Sequence, residues 1–97
     1  MADTKDYLLS VATSPEGDIV YIHANKAGLE QLSQVVERLK AKLEKGDCDH
    51  DHLFTEEWGG HELTASMLNA EQKENCKQVH HIKIYSWTSE WEKKHGL

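Results

Sequence analysis

Between Asp47 and Leu63 the chain reads DCDHDHLFTEEWGGHEL, and its chemistry-bearing residues crowd there. Cys48, His50 and His52 follow one another at every second position. On a strand such residues share a face, because successive side chains point to opposite sides. A thiolate with two imidazoles suits zinc, and His61, His80 or His81 could add a fourth ligand from a neighbouring strand. Neither C-x-x-C nor H-E-x-x-H spacing is present, however. Histidines on a solvated sheet face also serve as cross-strand pairs hydrogen-bonded to Asp and Glu. Stoichiometric zinc in the purified protein, lost when His50 and His52 become Ala, would distinguish the two uses.

Glu56, Glu57 and Glu62 supply carboxylates that could work as general acid and base, and Cys76 with a histidine could form a nucleophilic dyad. Nothing marks a nucleophile. There is no G-x-S-x-G, no cysteine in a local catalytic signature, and no glycine loop built to cradle phosphate. Paired carboxylates arise by chance in any acidic chain, so catalysis is not the expected use.

A protein interface is the better-supported chemistry. Trp58, Tyr85, Trp87 and Trp91 are large residues in a chain with few other aromatics, and Trp and Tyr often dominate interface energetics. Asp51, Glu56, Glu57 and Glu62 surround Trp58 in sequence. An aromatic anchor rimmed with carboxylates would complement a basic cleft and steer its approach. Trp58 could instead tuck under the Gly59-Gly60 turn and organise that corner. Trp91, near a polar C-terminus, is expected to be exposed or docked on a partner. His50, His52, His80 and His81 would titrate near 6.5 if unperturbed, so a face made of them would respond to pH. Partner affinity that stays flat between about pH 5.5 and 8 would remove that expectation.

These residues need elements to position them. Tyr7–Ala12 and Asp18–His23 are rich in strand formers and flank Ser14-Pro15-Glu16-Gly17, a turn signal, so they read as a hairpin. Asn25 is a fitting N-cap for a helix over Lys26–Lys45. Leu29, Leu32, Val36, Leu39 and Leu43 form its apolar stripe, widened by Val35. Lys40, Lys42 and Lys45 sit where cations oppose the helix dipole, and Gly46 is the expected C′ residue. A heptad-like stripe also suits a coiled coil, but one this short inside a strand-rich chain reads as an ordinary core face.

A third strand begins at about Asp49. Cys48, His50, His52 and Phe54 are expected on one face, and Asp49, Asp51, Leu53 and Thr55 on the other. A corner at Trp58–His61 follows, with Gly59 and Gly60 both suited to positive φ. Glu62–Met67 reads as a short strand and Leu68–Lys77 as a loop or helical turn. Gln78–Trp87 is the clearest strand. Ile82 and Ile84 mark its core face; Val79, His81, Lys83, Tyr85 and Trp87 lie on the other. Thr88 or Ser89 can cap a short tail containing Trp91. The sum is α+β: an antiparallel sheet of four to five strands, order β-β-α-β-β-β, with one long helix across one face and the other face partly open.

With 97 residues the chain has room for one core, so residues 1–97 are expected to form a single domain. A formal net charge of −6 argues against a nucleic-acid surface, which needs clustered Lys and Arg. It suits a basic partner, although the same charge also serves solubility. No apolar run reaches the roughly 20 residues of a membrane span, and MADTKDYLLS lacks the pattern of a secretory signal. Two cysteines are too few for a disulfide framework, so a cytoplasmic chain with reduced thiols is expected.

One resemblance adds to this reading. His50-Asp51-His52-Leu53, Trp58-Gly59-Gly60, Glu62-Leu63 and Val79–Tyr85, with a helix upstream, resemble the immunity protein 32 family over Tyr7 to about Trp87. Its members are small bacterial proteins associated with polymorphic toxin systems. The resemblance implies a protein that binds a cognate toxin and occludes its active site; the acidic charge suits a nuclease as that toxin. It implies no catalytic residue and no cofactor. The candidate contacts are Trp58, Asp51, Glu56, Glu57, Glu62, His50, His52 and Trp91. The open sheet face could also receive a second copy of the chain.

Overall fold

The computed structural model describes residues 7–97. Residues 1–5, expected to be frayed, lie outside the described residues. Strand β1 (Leu9–Thr13) and strand β2 (Val20–Ala24) form the antiparallel hairpin, with Val11 opposite Ile22. The turn closes as its composition requires. The Gly17 N–H donates to the Ser14 carbonyl at 2.9 Å, and the Ser14 hydroxyl donates to Asp18 at 2.7 Å.

Helix α1 (Lys26–Glu44) follows directly. The Asn25 side chain accepts from the Gly28 N–H at 3.0 Å and from the Leu8 N–H at 3.1 Å. One residue therefore caps the helix and ties it to the strand beneath. At the other end Gly46 has φ +83, and its N–H reaches the Leu43 carbonyl at 2.9 Å. The Asp47 N–H reaches the Lys42 carbonyl at 3.0 Å. These paired bonds are a Schellman closure, with glycine at the left-handed position.

The helix is rotated from the expected stripe. Gly28, Val35 and Leu39 are buried, while Leu29 is 55% and Val36 42% exposed. The cause lies at Gly28: a Cβ built there would stand 1.8 Å from the Leu8 carbonyl oxygen. Backbone seats on backbone at that point, and this close approach decides which side of the helix faces inward.

Among the described residues, five strands pair antiparallel in two sheets, packed by one long helix. The first sheet has the order β2-β1-β4, where β4 is Lys77–Gln78; the second pairs β3 (Asp49–Phe54) with β5 (His81–Ser86). The strand expected over Gln78–Trp87 is thus divided. Its start pairs with β1, its remainder with β3, and Val79 and His80 bridge the two. The Val79 N–H donates to Val11 at 2.8 Å, and the His80 carbonyl accepts from Thr55 at 3.0 Å. A single run of sequence joins both sheets because its opposite edges find different partners.

The strand expected over Glu62–Met67 does not form. Leu63 makes one parallel bridge with Thr55, and the Thr64 N–H donates to Leu9 at 2.7 Å. Beyond that, Ser66 is held by the Ser10 hydroxyl rather than by a backbone ladder. Lys77–Gln78 already occupies the adjoining part of the β1 edge, so no length of free edge is left for Glu62–Met67. Leu68–Lys77, read as a loop or helical turn, contains helix α2 (Asn69–Lys73). Thr88 caps helix α3 (Ser89–His95) by accepting from the Trp91 N–H.

The core comprises Leu9, Val11, Val35, Leu39, Leu53 and Leu63, flanked by Tyr7, Ala24, Val79, Ile82 and Ile84. Ile82 and Ile84 thus face inward as expected. A second anchor is polar. The buried Glu71 carboxylate meets His23 Nε2 at 2.8 Å and accepts from the Leu68 N–H at 3.1 Å. The His23 hydrogen bond, then the Leu68 amide, hold its pKa below the ordinary carboxylate range against the cost of burial. A depressed folded pKa adds stability above the unfolded value of about 4.3, and that stability is lost as pH falls below it. Glu71→Gln should therefore lower the urea midpoint at neutral pH and show a much smaller deficit near pH 3. An equal deficit at both pH values would refute the assignment.

Candidate binding surfaces

The alternation D-H-D-H of β3 separates charge by face. Asp49 and Asp51 turn toward α1. Arg38 reaches Asp49 at 3.6 Å and also pairs with Asp51, and Lys42 lies 3.9 Å from Asp49. The Asp49 pKa is lowered, first by the His50 N–H and then by Lys42 and Arg38. Each aspartate also bends back onto its own strand. The His50 N–H donates to Asp49 at 2.7 Å and the His52 N–H to Asp51 at 2.8 Å. The Phe54 N–H donates to Glu62 at 3.0 Å. These three amides point away from β5, so carboxylates occupy the donors of the free edge. An incoming strand would find them taken, which guards the edge against unwanted pairing.

The opposite face carries rings. Phe54 packs on His81 with centroids 4.2 Å apart, and His52 Nδ1 lies 2.8 Å from His81 Nε2. The 5.0 Å centroid separation of those two imidazoles is that of rings joined nitrogen to nitrogen in nearly one plane. His50 sits 5.0 Å from His52 and 5.7 Å from Tyr85. Tyr85, Trp87 and Trp91 continue the row at 5.7 Å spacings, and His95 closes it 4.4 Å from Trp91. Lys83 lies 5.0 Å above the Tyr85 ring. Partial burial lowers the His52 pKa, followed by the neighbouring charges of His50, His81 and Lys83.

Cys48 does not join a ligand set. It accepts from the Thr88 N–H at 3.4 Å, facing the start of α3. Among the described residues, no group of three or more His, Cys, Asp or Glu side chains is placed to hold a metal ion. Cys76 is buried, and burial followed by Glu74, Glu71 and Glu16 raises its thiol pKa, which suits an inert thiol.

A second surface forms at the corner after β3. Thr55 is fully buried and acts as its hub. Its carbonyl accepts from the Trp58 and Gly60 amides at 3.0 Å each, and its hydroxyl lies 2.8 Å from His80 Nδ1. Glu56–Trp58 turn once as a 3-10 helix, and Gly59 ends it at φ +92. Gly60 is needed for a different reason than expected: a Cβ there would lie 2.5 Å from the Phe54 Cβ. Trp58 is 59% exposed and stacks on His80 at 5.3 Å, with the planes 3° apart. It therefore lies over the corner rather than beneath it.

Beside it opens a cavity of about 670 Å3, lined by Tyr7, Gln31, Glu56, Glu57, His61, Glu62 and Leu63 among others. The Tyr7 hydroxyl donates to the Glu62 carbonyl. Partial burial works against the Glu62 carboxylate, but the Phe54, Glu62 and His61 amides outweigh it and lower its pKa.

The eight candidate contacts are thus divided. Glu56, Glu57 and Glu62 line the cavity beside Trp58, while His50, His52 and Trp91 belong to the row of rings. Asp51 lies on the helix side, paired with Arg38. Tyr7, Gln31 and Arg38 escaped sequence reasoning. Tyr7 stands 55 positions from Glu62, and no local pattern reports such a contact.

A protein-family model described as Immunity protein 32 matches residues 19–82, from the end of the hairpin turn to the start of β5. No curated protein and no solved structure matches.

Proposed function

The chain belongs to the immunity protein 32 family, and from that membership we propose that it binds a cognate bacterial toxin and neutralises it by covering its active site. It acts in the cytoplasm of the producing cell and performs no reaction of its own. The family match carries this reading. The corner supports a contact site: an exposed Trp58 beside a cavity lined by Glu56, Glu57 and Glu62 can receive a cationic side chain of the toxin. An aromatic anchor with a carboxylate rim combines the two features that set affinity and approach rate. The net charge of −6 favours a toxin with a basic cleft, such as a nuclease.

The direct test is co-expression with a candidate toxin, chosen from the neighbouring genes, scored by survival, with calorimetry on the purified pair. Wild type should protect and bind. Trp58→Ala should weaken binding about 30-fold, equivalent to about 2 kcal/mol. Glu57→Gln should mainly slow association, and the loss should shrink as salt is raised. Failure of wild type to bind or protect against that toxin would refute the reading. Full affinity in Trp58→Ala would move the contact away from the corner.

A further inference from the structure

The row of rings on the β3–β5 face is unlike the rest of this acidic molecule. Its strand carboxylates, Asp49 and Asp51, are turned to the other face and engaged by Arg38. What remains on the open side is Phe54, Tyr85, three imidazoles and one ammonium: His50, His52, His81 and Lys83. Tyr85 is 48% exposed, and His50 and Lys83 are exposed as well. We infer that this face docks an acidic patch of a partner protein, and that docking draws protons onto the histidines.

The His52–His81 contact gives the inference its chemistry. One ring must donate and the other accept across the 2.8 Å between Nδ1 and Nε2. Within the described residues, His52 Nε2 and His81 Nδ1 make no hydrogen bond. One added proton leaves the shared bond intact, whereas a second would set N–H against N–H. The groups facing this pair are His50 from β3 and Lys83 from β5, all cationic or neutral. Asp51 adjoins His52 in the chain but pairs with Arg38 on the helix side. Glu62, which also reaches β3, is engaged by the Phe54 N–H at the strand edge. Burial, then the neighbouring charges of His50, His81 and Lys83, therefore disfavour the charged form of His52. A partner's carboxylate at the open nitrogens reverses that balance and favours the charged forms.

The occupant follows from the charge count. Nucleic acid requires many permanent cations to neutralise phosphates, and this face has one lysine among its strand residues. A few carboxylates on a protein surface match a few titratable imidazoles, and the aromatic residues among them are types enriched in protein interfaces. This inference does not depend on the toxin reading, because it concerns a different surface and the opposite charge.

Poly-L-glutamate is a suitable probe. A chain of net charge −6 repels it at long range, so binding must come from a local patch. Titration followed by tryptophan fluorescence should show binding about tenfold tighter per proton taken up for each pH unit between roughly 7 and 6. Lys83→Glu, at an exposed position, should abolish it at all pH values. Replacing His50, His52 and His81 together with Gln should lose the pH dependence, with unchanged far-UV circular dichroism as the folding control. Glu56→Gln at the corner should leave binding unaltered. Absence of poly-L-glutamate binding near pH 6, or binding indifferent to pH, overturns the inference. So does tighter binding of single-stranded oligothymidylate through the same residues, which would assign the face to nucleic acid.

Discussion

Replacing Gly28 with alanine is expected to destabilise the protein by about 3 kcal/mol. In an exposed helix interior the same change gains roughly 1 kcal/mol, because alanine loses less backbone freedom on folding. Here the sign reverses. The added methyl would overlap the Leu8 carbonyl oxygen at 1.8 Å and approach the Leu8 carbonyl carbon at 2.8 Å. Neither atom is the end of a flexible side chain. Relief requires the helix to lift from β1, which strains the Asn25 bonds to Leu8 and opens the contact beneath Val35 and Leu39. Urea denaturation of the two proteins checks this. A neutral or stabilising result would mean that α1 does not seat where described.

Leu53→Ala should cost about 3–4 kcal/mol, whereas Leu29→Ala should stay within about 0.5. Leu53 is fully buried on β3, opposite Ile82, and Leu29 is 55% exposed. A domain of this size has a total stability of about 5–15 kcal/mol. The first change therefore removes a large share of it and the second almost none. Periodicity alone places Leu29 in the apolar stripe and would give it a core cost. Equal losses in paired denaturation curves would restore that stripe and refute the rotated helix.

The two substitutions mark where local pattern stops being informative. Asn25, the leucine spacing and Gly46 specify a helix with its ends in place, since capping and periodicity are properties of neighbouring residues. They leave its rotation open. That is decided by Gly28 meeting Leu8, a contact across the hairpin. Alternation likewise assigns Leu53 and Thr55 to one face of β3 and the histidines to the other. It does not reveal that Asp49 and Asp51 answer Arg38 on one side and cap their own strand edge on the other.

The candidate surfaces divide in the same way. Residue types alone single out Trp58, the carboxylates around it and the histidine-rich strand as places where a partner could be recognised. Their separation into an acidic cavity and a row of rings comes from three long-range events: Tyr7 closing on Glu62, His80 stacking under Trp58, and β5 bringing His81 to His52. Side-chain alternation and helix caps are short-range consequences of covalent geometry, so they can be read along the chain. The partner across a sheet, the turn of a helix on its seat and the sign of charge on each face depend on residues tens of positions apart. Only folding brings those together.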